Sequence, residues 1–289
     1  MHLRVNGVLR EMLIIRTVKE LRSLEPQGKR HFVPTMGALH KGHLSLMQEA
    51  KNHMAGEDEL WVSIFVNPMQ FNQTSDFEKY PHTLDADLQA CEAAGVDVVF
   101  LPSADLMYPA GFSMKVSEGS LGKVLCGATR PGHFDGVCTI VAKLFNLVEP
   151  RLAYFGEKDF QQLAIIQKMV SDLNFNIEVV PVSTMREADG LAMSSRNLRL
   201  SAAEREVAPI LYASLKKAKA QLVSGTPWLD VHQELKERLE LAGFQIDYAE
   251  LVQSSTLQPT SALAGDCICA VAAFLGEVRL IDHITISHG

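Results

Sequence analysis

Short apolar runs alternate with amphipathic stretches through the first two-thirds of the chain. Runs at Leu13–Ile15, His31–Val33, Leu60–Val66, Val96–Leu101, Leu152–Phe155 and Ile177–Val180 read as strands. Between them, Val18–Leu24, His43–Met54, Thr83–Ala94, Gly136–Val148 and Lys158–Leu173 carry helical spacing. Apolar strands alternating with helices predict an α/β fold, with a mostly parallel sheet covered on both faces. After about Thr184 the pattern changes. Ser201-Ala202-Ala203-Glu204 is a capping box that opens a long helix reaching about Val223 and stopping near Gly225. A second helix, Asp230–Leu241, is ended by Gly243. Runs at Gln245–Val252, Cys267–Leu275 and Val278–Ile284 follow closely enough to pair antiparallel. The expected organisation is a first domain over 1–184, of which 1–11 is an extension, and a smaller C-terminal α+β domain over 185–289.

Composition supports a folded protein of about two domains, at ~150 residues per domain for the 289 present. Apolar residues make up 47% and charged residues 21%, which excludes collagen, low-complexity disorder and a small disulfide scaffold. The net charge of −7 and the 7% aromatic content argue against nucleic acid as a partner. The longest apolar run, Cys267–Leu275, is bounded by Asp266 and Glu277 and falls far short of the ~20 residues a membrane helix needs. The N-terminus lacks the apolar core of a signal peptide. The five cysteines are irregularly spaced, with no C-x-x-C, so free thiols in a reducing cytoplasm are expected. Cys267 and Cys269 would share one face of a strand as small apolar residues.

Parallel sheets bind ligands beyond the carboxyl ends of their strands; three segments at such positions, and a fourth just inside the second domain, carry chemistry. Pro34-Thr35-Met36-Gly37-Ala38-Leu39-His40-Lys41-Gly42-His43-Leu44 follows a strand and opens a helix. Gly37 and Gly42 bracket a turn in the manner of a P-loop, but His43 and Leu44 replace its lysine and hydroxyl residue. What remains is amides at a helix start, which attract anions, and two imidazoles on one helical face able to donate to a phosphate. Ile64-Phe65-Val66-Asn67-Pro68-Met69-Gln70-Phe71 places Gln70 among apolar residues after a strand-ending turn; a solvent-exposed loop is the competing reading. Gly156-Glu157-Lys158-Asp159-Phe160-Gln161-Gln162 sets Lys158 and Gln162 one helical turn apart, though a solvated helix start has the same composition. Met193-Ser194-Ser195-Arg196-Asn197 offers hydroxyls and a guanidinium suited to polyphosphate, or else a polar interdomain loop. Arg130-Pro131-Gly132-His133-Phe134 is a lesser anion-contact candidate. Asp85 and Asp87 read as helix-start residues rather than metal ligands.

In order and in content, PTMGALHKGH, FVNPMQF, RPGHFDGV, GEKDFQQL and MSSRN resemble the pantoate–β-alanine ligase family. The resemblance runs from about Met12 to the C-terminal strands. It implies a Rossmann-like core shared with class I aminoacyl-tRNA synthetases, with His40-Lys41-Gly42-His43 as the HIGH signature and Met193-Ser194-Ser195-Arg196 standing where synthetases have KMSKS, Arg196 replacing a lysine. It further implies ATP-dependent condensation of pantoate with β-alanine through a pantoyl adenylate, giving pantothenate, AMP and pyrophosphate. By the resemblance His43, His40, Lys158 and Arg196 are catalytic. The ATP site comprises Met36, Gly37, Ala38, Leu39, His40, Lys41, Gly42, His43, Gly156, Glu157, Lys158, Asp159, Met185, Met193, Ser194, Ser195 and Arg196, with the C-terminal domain closing over it. Gln70 and Gln162 bind pantoate, and Gln70 also reaches β-alanine. Mg2+ accompanies ATP on phosphate oxygens and water, with no protein ligand assigned, and a homodimer is expected. His82 stands where arginine is expected, and residues before Met12 lie outside the family pattern. The competing functions are another nucleotidyl-transferring enzyme on the same core, a catalytically silent nucleotide-binding protein, and a tRNA synthetase. The acidic charge and the lack of an anticodon-binding domain disfavour the last.

Overall fold

The computed structural model describes residues 4, 5, 8, 9, 11–72 and 74–287. Among the described residues eleven strands run in chain order: β1 (Arg4–Val5), β2 (Val8–Leu9), β3 (Leu13–Ile15), β4 (Arg30–Thr35), β5 (Glu59–Ile64), β6 (Val98–Phe100), β7 (Leu152–Gly156), β8 (Glu178–Val182), β9 (Phe244–Gln253), β10 (Cys267–Leu275) and β11 (Val278–Ile286). The α-helices are α1 (Val18–Arg22), α2 (Lys41–His53), α3 (Thr74–Glu78), α4 (Leu84–Ala93), α5 (Ala104–Met107), α6 (Cys126–Thr129), α7 (His133–Val148), α8 (Phe160–Asp172), α9 (Ala202–Val207), α10 (Ile210–Val223) and α11 (Trp228–Leu241). The described residues fall into two compact units. One comprises those up to Gly119 with Pro131–Ser183; the other comprises Ser120–Arg130 with those from Thr184 on.

The first unit is built on a six-stranded sheet in the order β3-β6-β5-β4-β7-β8, and every adjacent pair is parallel. All of β5 is buried, as a strand covered on both faces must be. Val33, Val62 and Val99 share a core cluster with Leu46, Met47 and Ala50 of α2 and Cys91 of α4. Twelve residues of α7 are buried, and its Phe145 meets Phe155 of β7 edge-on. From β4 the chain proceeds to β5 and β6 on one side of the sheet, then to β7 and β8 on the other. Between the carboxyl ends of β4 and β7 the strand order therefore reverses, which is where sheets of this kind bind ligands. At the opposite end of α2, His53 Nδ1 lies 3.1 Å from the Tyr154 hydroxyl, which also lies 2.8 Å from buried His31 Nδ1.

The second unit carries the antiparallel sheet β11-β10-β9. Cys267, Cys269, Val271, Ala273 and Leu275 alternate along β10 into a core shared with Leu211, Leu215 and Ala218 of α10 and Val231, Leu235 and Leu239 of α11. All five cysteines are free and buried. The segment 120–130 joins this unit because Thr129 donates to Asp247 at 3.0 Å and Cys126 Sγ lies 3.2 Å from the Tyr248 hydroxyl. Arg279 also grips Asp247, through Nε at 2.9 Å and Nη2 at 2.6 Å.

Three differences from the expected elements have local causes. The long helix from Ser201 is two helices, because Pro209 has no N–H to continue the first and instead caps α10. Helix α7 starts at His133 rather than Gly136, with left-handed Gly132 (φ +80°) turning the chain into it. Residues Arg4–Val5 and Val8–Leu9 of the expected extension pair as a short antiparallel ladder; its residues 1–3, 6, 7 and 10 lie outside the described residues.

Gly136 lets α7 approach the 68–70 turn: a Cβ there would overlap the Met69 carbonyl and lie 2.7 Å from Gln70 N. Both obstacles are backbone and cannot rotate away. Gly136→Ala is expected to destabilise the protein by ~1–3 kcal/mol, read as a lower urea midpoint. Unchanged stability would show that the approach relaxes freely.

Candidate active site

The loop from β4 into α2 is turned by Gly37 at φ +80° and Ala38 at φ +49°. The turn delivers His40 as the N-cap of α2, in extended conformation. Caps are usually short polar side chains; here two imidazoles cap reciprocally. His40 Nδ1 accepts the Gly42 N–H at 3.1 Å, and His43 Nδ1 accepts the His40 N–H at 3.3 Å. The ring centroids are 4.1 Å apart. An Nδ1 that accepts carries no hydrogen, so each neutral ring bears its proton on Nε2. Neither Nε2 has a partner among the described residues, leaving two N–H donors unfilled.

Electrostatics keep both rings neutral. The pKa of His40 is lowered to about 4, chiefly by burial and then by the Lys158 ammonium, with Asp159 opposing. Burial also lowers His43 to about 3, followed by repulsion from His40; Asp159 again opposes and Lys158 contributes. The influence of Lys158 on both rings follows from topology. Strand β7 pairs directly with β4, so the Glu157–Asp159 turn after β7 stands beside the loop after β4. Lys158 is 17% exposed, with its Nζ 3.9 Å from Asp159 Oδ1. One turn into α8, Gln162 is half-buried and makes no side-chain hydrogen bond among the described residues. Its neighbour Gln161 is 3% exposed.

The turn after β5 holds Gln70 in a buried polar network. Asn67 Nδ2 donates to Gln70 Oε1 at 2.9 Å and to the Gly136 carbonyl at 3.1 Å. Asn67 Oδ1 accepts from the Tyr108 hydroxyl at 2.7 Å. With its oxygen so engaged, Gln70 presents Nε2, which lies 2.9 Å from Met36 Sδ. The Gln70 carbonyl accepts from His133 Nδ1 at 2.7 Å. The loops after β4, β5 and β7 thus bring Met36, His40, His43, Gln70 and Lys158 to one edge of one sheet.

The remaining sequence candidates belong to the second unit. Met193 N donates to the Met185 carbonyl at 3.0 Å, and Arg186 bridges to Ala192. Gly190, at φ +95°, turns the chain between them. Arg186 clamps buried Asp282 with both Nη atoms, at 2.6 and 2.9 Å, and stacks 3.4 Å over Tyr212. Ser194 then caps a short 3-10 helix, accepting the Arg196 N–H at 3.2 Å. Met193 and Ser195 are buried, and Met185 is exposed.

The structure revises one expectation. The amides of the β4–α2 loop are largely consumed within the protein: Ala38 and Leu39 donate to the Asp87 carboxylate at 2.9 and 2.7 Å, and Gly42 and His40 donate to the imidazoles. Side-chain N–H groups, rather than an amide cradle, remain for an anion. Asn67, Tyr108, His133 and Asp87 were not foreseen in these roles, because their partners lie up to 69 residues away in sequence. For Asp87 a signal existed in its first-turn position after Thr83, but it reads equally as ordinary helix-start charge.

A parallel α/β sheet whose switch point carries two neutral imidazole donors beside a lysine defines the class: a Rossmann-like enzyme equipped to handle phosphate and carboxylate charge. The family described as pantoate-beta-alanine ligase matches residues 13–285. The pantothenate synthetase of Fervidobacterium nodosum is 46% identical over 284 residues, covering 96% of this chain and 100% of the relative. That of Acinetobacter baylyi is 49% identical over 258 residues, covering 88% and 90%. The crystal structure of pantothenate synthetase from Thermus thermophilus superposes with a TM-score of 0.89 at 44% identity, covering 94% of this chain and 99% of that one. A Francisella tularensis pantoate-beta-alanine ligase, crystallised with beta-gamma ATP and beta-alanine, superposes with a TM-score of 0.81 at 35% identity, covering 95% and 97%. The chain belongs to the pantoate–β-alanine ligase family.

The lowered histidine pKa values have a sign. Unfolded histidines titrate near 6.5, the folded pair near 4 and 3. Between these values the unfolded chain binds more protons, so the contribution of the pair is complete above pH 6.5 and is lost as pH falls toward the folded values. Urea midpoints of wild type and of a His40→Gln, His43→Gln double variant should therefore converge between pH 6.5 and 4. A pH-independent difference would mean that the rings titrate normally.

Proposed function

We propose that the ligation of pantoate with β-alanine, the activity that defines the family, proceeds here by adenylation on the loops after β4, β5 and β7. The pantoate carboxylate attacks the α-phosphorus of ATP; the new bond is carboxyl oxygen to phosphorus, and the bond to pyrophosphate breaks. The amine of β-alanine then attacks the acyl carbon, an amide forms, AMP leaves and the amine gives up a proton. The observation that carries this reading is the pair of Nε2–H groups on His40 and His43, beside Lys158 and without a partner among the described residues.

The first step brings two anions together and needs no proton transfer, because a carboxylate has none to lose. Hydrogen-bond donors aimed at phosphate oxygens are what it requires. Rings held neutral, with the proton on Nε2, supply donation without releasing a proton. Lys158 adds the positive charge that screens carboxylate from phosphate. Gln70 and Gln162 suit pantoate, which presents hydroxyls and a carboxylate next to a gem-dimethyl group; Met36 and Phe65 offer apolar surface beside them. Met36 to His43 and Gly156 to Asp159 are assigned to ATP. From the second unit, Met185, Met193, Ser194, Ser195 and Arg196 are assigned to the nucleotide by family resemblance, with Arg196 on phosphate charge.

Among the described residues no three His, Cys, Asp or Glu side chains gather as a metal cage. A magnesium ion that arrives on the phosphates needs none, so MgATP is the substrate form we assign. A cytoplasmic homodimer is the setting we assign, supported by the five free thiols and by the family resemblance.

Pyrophosphate release from MgATP is expected to require pantoate and to precede addition of β-alanine, after which AMP and pantothenate appear. His43→Ala should lower that release by roughly 10²–10³-fold, the scale of losing one donor to developing charge, whereas Gln70→Ala should chiefly raise the KM for pantoate. Release without pantoate, or a near-wild-type His43→Ala, would sink the reading.

A further inference from the structure

We propose that Asp87 is a positioning residue for adenylation, acting through the loop that sets the place and tautomer of His40 and His43. This rests on the reading of those imidazoles as phosphate donors.

Asp87 lies in the first turn of α4 and is 3% exposed. A buried carboxylate needs compensation, and among the described residues Asp87 has no cationic partner. Its compensation is a ring of three donors. Oδ2 accepts Ala38 N–H at 2.9 Å, Oδ1 accepts Leu39 N–H at 2.7 Å, and the Thr83 hydroxyl lies 3.2 Å from both oxygens. Thr83 is the N-cap of α4, yet its hydroxyl makes no cap bond to the helix and serves the carboxylate instead.

One of the two amides belongs to Ala38, a strained residue of the turn, and the other to Leu39, the residue after it. Gly37 and Ala38 are consecutive left-handed residues, at φ +80° and +49°, and for alanine that conformation is strained. Such strain persists only where the surroundings over-determine it. Asp87 fills the space a side chain on Gly37 would take: a Cβ there would lie 2.9 Å from Oδ2 and 3.2 Å from Ile64 Cγ2. One residue beyond Leu39 stands His40, whose backbone N–H fixes His43 and whose ring caps α2. Holding Ala38 and Leu39 therefore fixes where the cap starts, and the cap fixes which nitrogen of each ring is bare.

An amide cannot copy this arrangement. In Asp87→Asn one of the two positions facing a loop N–H becomes an NH2 group, so one loop amide loses its acceptor. The test uses the full-length protein, MgATP and pantoate, with 15N spectra of the histidine rings. Asp87→Asn should lower the kcat of pantoate-dependent pyrophosphate release by about 10–100-fold, the scale of a small misplacement of reacting groups, with little change in the KM for pantoate. The His40 and His43 signals should leave the pure Nε2–H tautomer. Thr83→Val removes one of the three donors, leaves both loop amides in place, and should show the same two effects in weaker form; it serves if Asp87→Asn does not fold. Unchanged tautomers in a folded Asp87→Asn protein would overturn the proposal. So would a loss confined to KM. Altered tautomers with wild-type kcat would also overturn it, and a His43→Ala control separates the cases. If that control is inactive, Asp87 alone has been misread; if it too is active, the catalytic reading of the histidines has failed.

Discussion

The direct parallel pairing of β4 with β7 is the constraint on which the site depends. The chain leaves β4, builds β5 and β6 on one flank, and returns more than a hundred residues later to lay β7 against the other flank of β4. That return sets the lysine turn beside the histidine cap. Neither loop has the equipment alone: one brings donors without charge, the other charge without a fixed donor pair. The buried apolar residues of β4, β5 and α7 hold this adjacency, so core packing is what keeps Lys158 within electrostatic reach of His40 and His43.

The cap itself departs from ordinary helix chemistry, with imidazoles in place of short polar side chains. A serine or aspartate at position 40 would satisfy the first amides of α2 as well or better. Imidazoles do so only while neutral, because a protonated Nδ1 cannot accept. Burial and the nearby ammonium enforce that state. Folding thus makes the N-terminus of α2 a tautomer lock, and the outward-facing consequence is two Nε2–H groups with a fixed proton. In the adenylation proposed above, positive charge on the rings would bind phosphate more strongly in the ground state as well, with no selective gain as charge develops.

The other wall of the site is a satisfied polar network. Asn67 takes both the carboxamide of Gln70 and the hydroxyl of Tyr108, and Gly136 lets α7 close on the same turn. Burial raises the Tyr108 pKa well above its ordinary value, which keeps the hydroxyl a donor. A buried network in which each member has its partner orients its side chains strongly, and here it leaves Gln70 with its NH2 as the presented group.

Much of this was legible along the chain. Apolar strands and amphipathic helices pointed to the parallel α/β unit and the antiparallel second sheet, because periodicity reports burial directly. The glycine-flanked histidines, the GEKD turn and the MSSRN segment stood out because their chemistry is local. Pro209 carried a local signal that the expected single helix after Ser201 passed over: its missing N–H divides that stretch into two helices. What sequence left open was every pairing across long separations. Asp87 looks like any helix-start acid until Ala38 and Leu39 point at it from 49 and 48 residues away; Asn67 looks like turn chemistry until Gly136 and Tyr108 reach it. The sequence determined which residues have the means to bind phosphate and carboxylate, since that depends on side-chain type and local spacing. Only the tertiary structure decided which amides were already spent, which nitrogen of each histidine kept its proton, and which loops met, because those depend on distances that close only when the sheet forms.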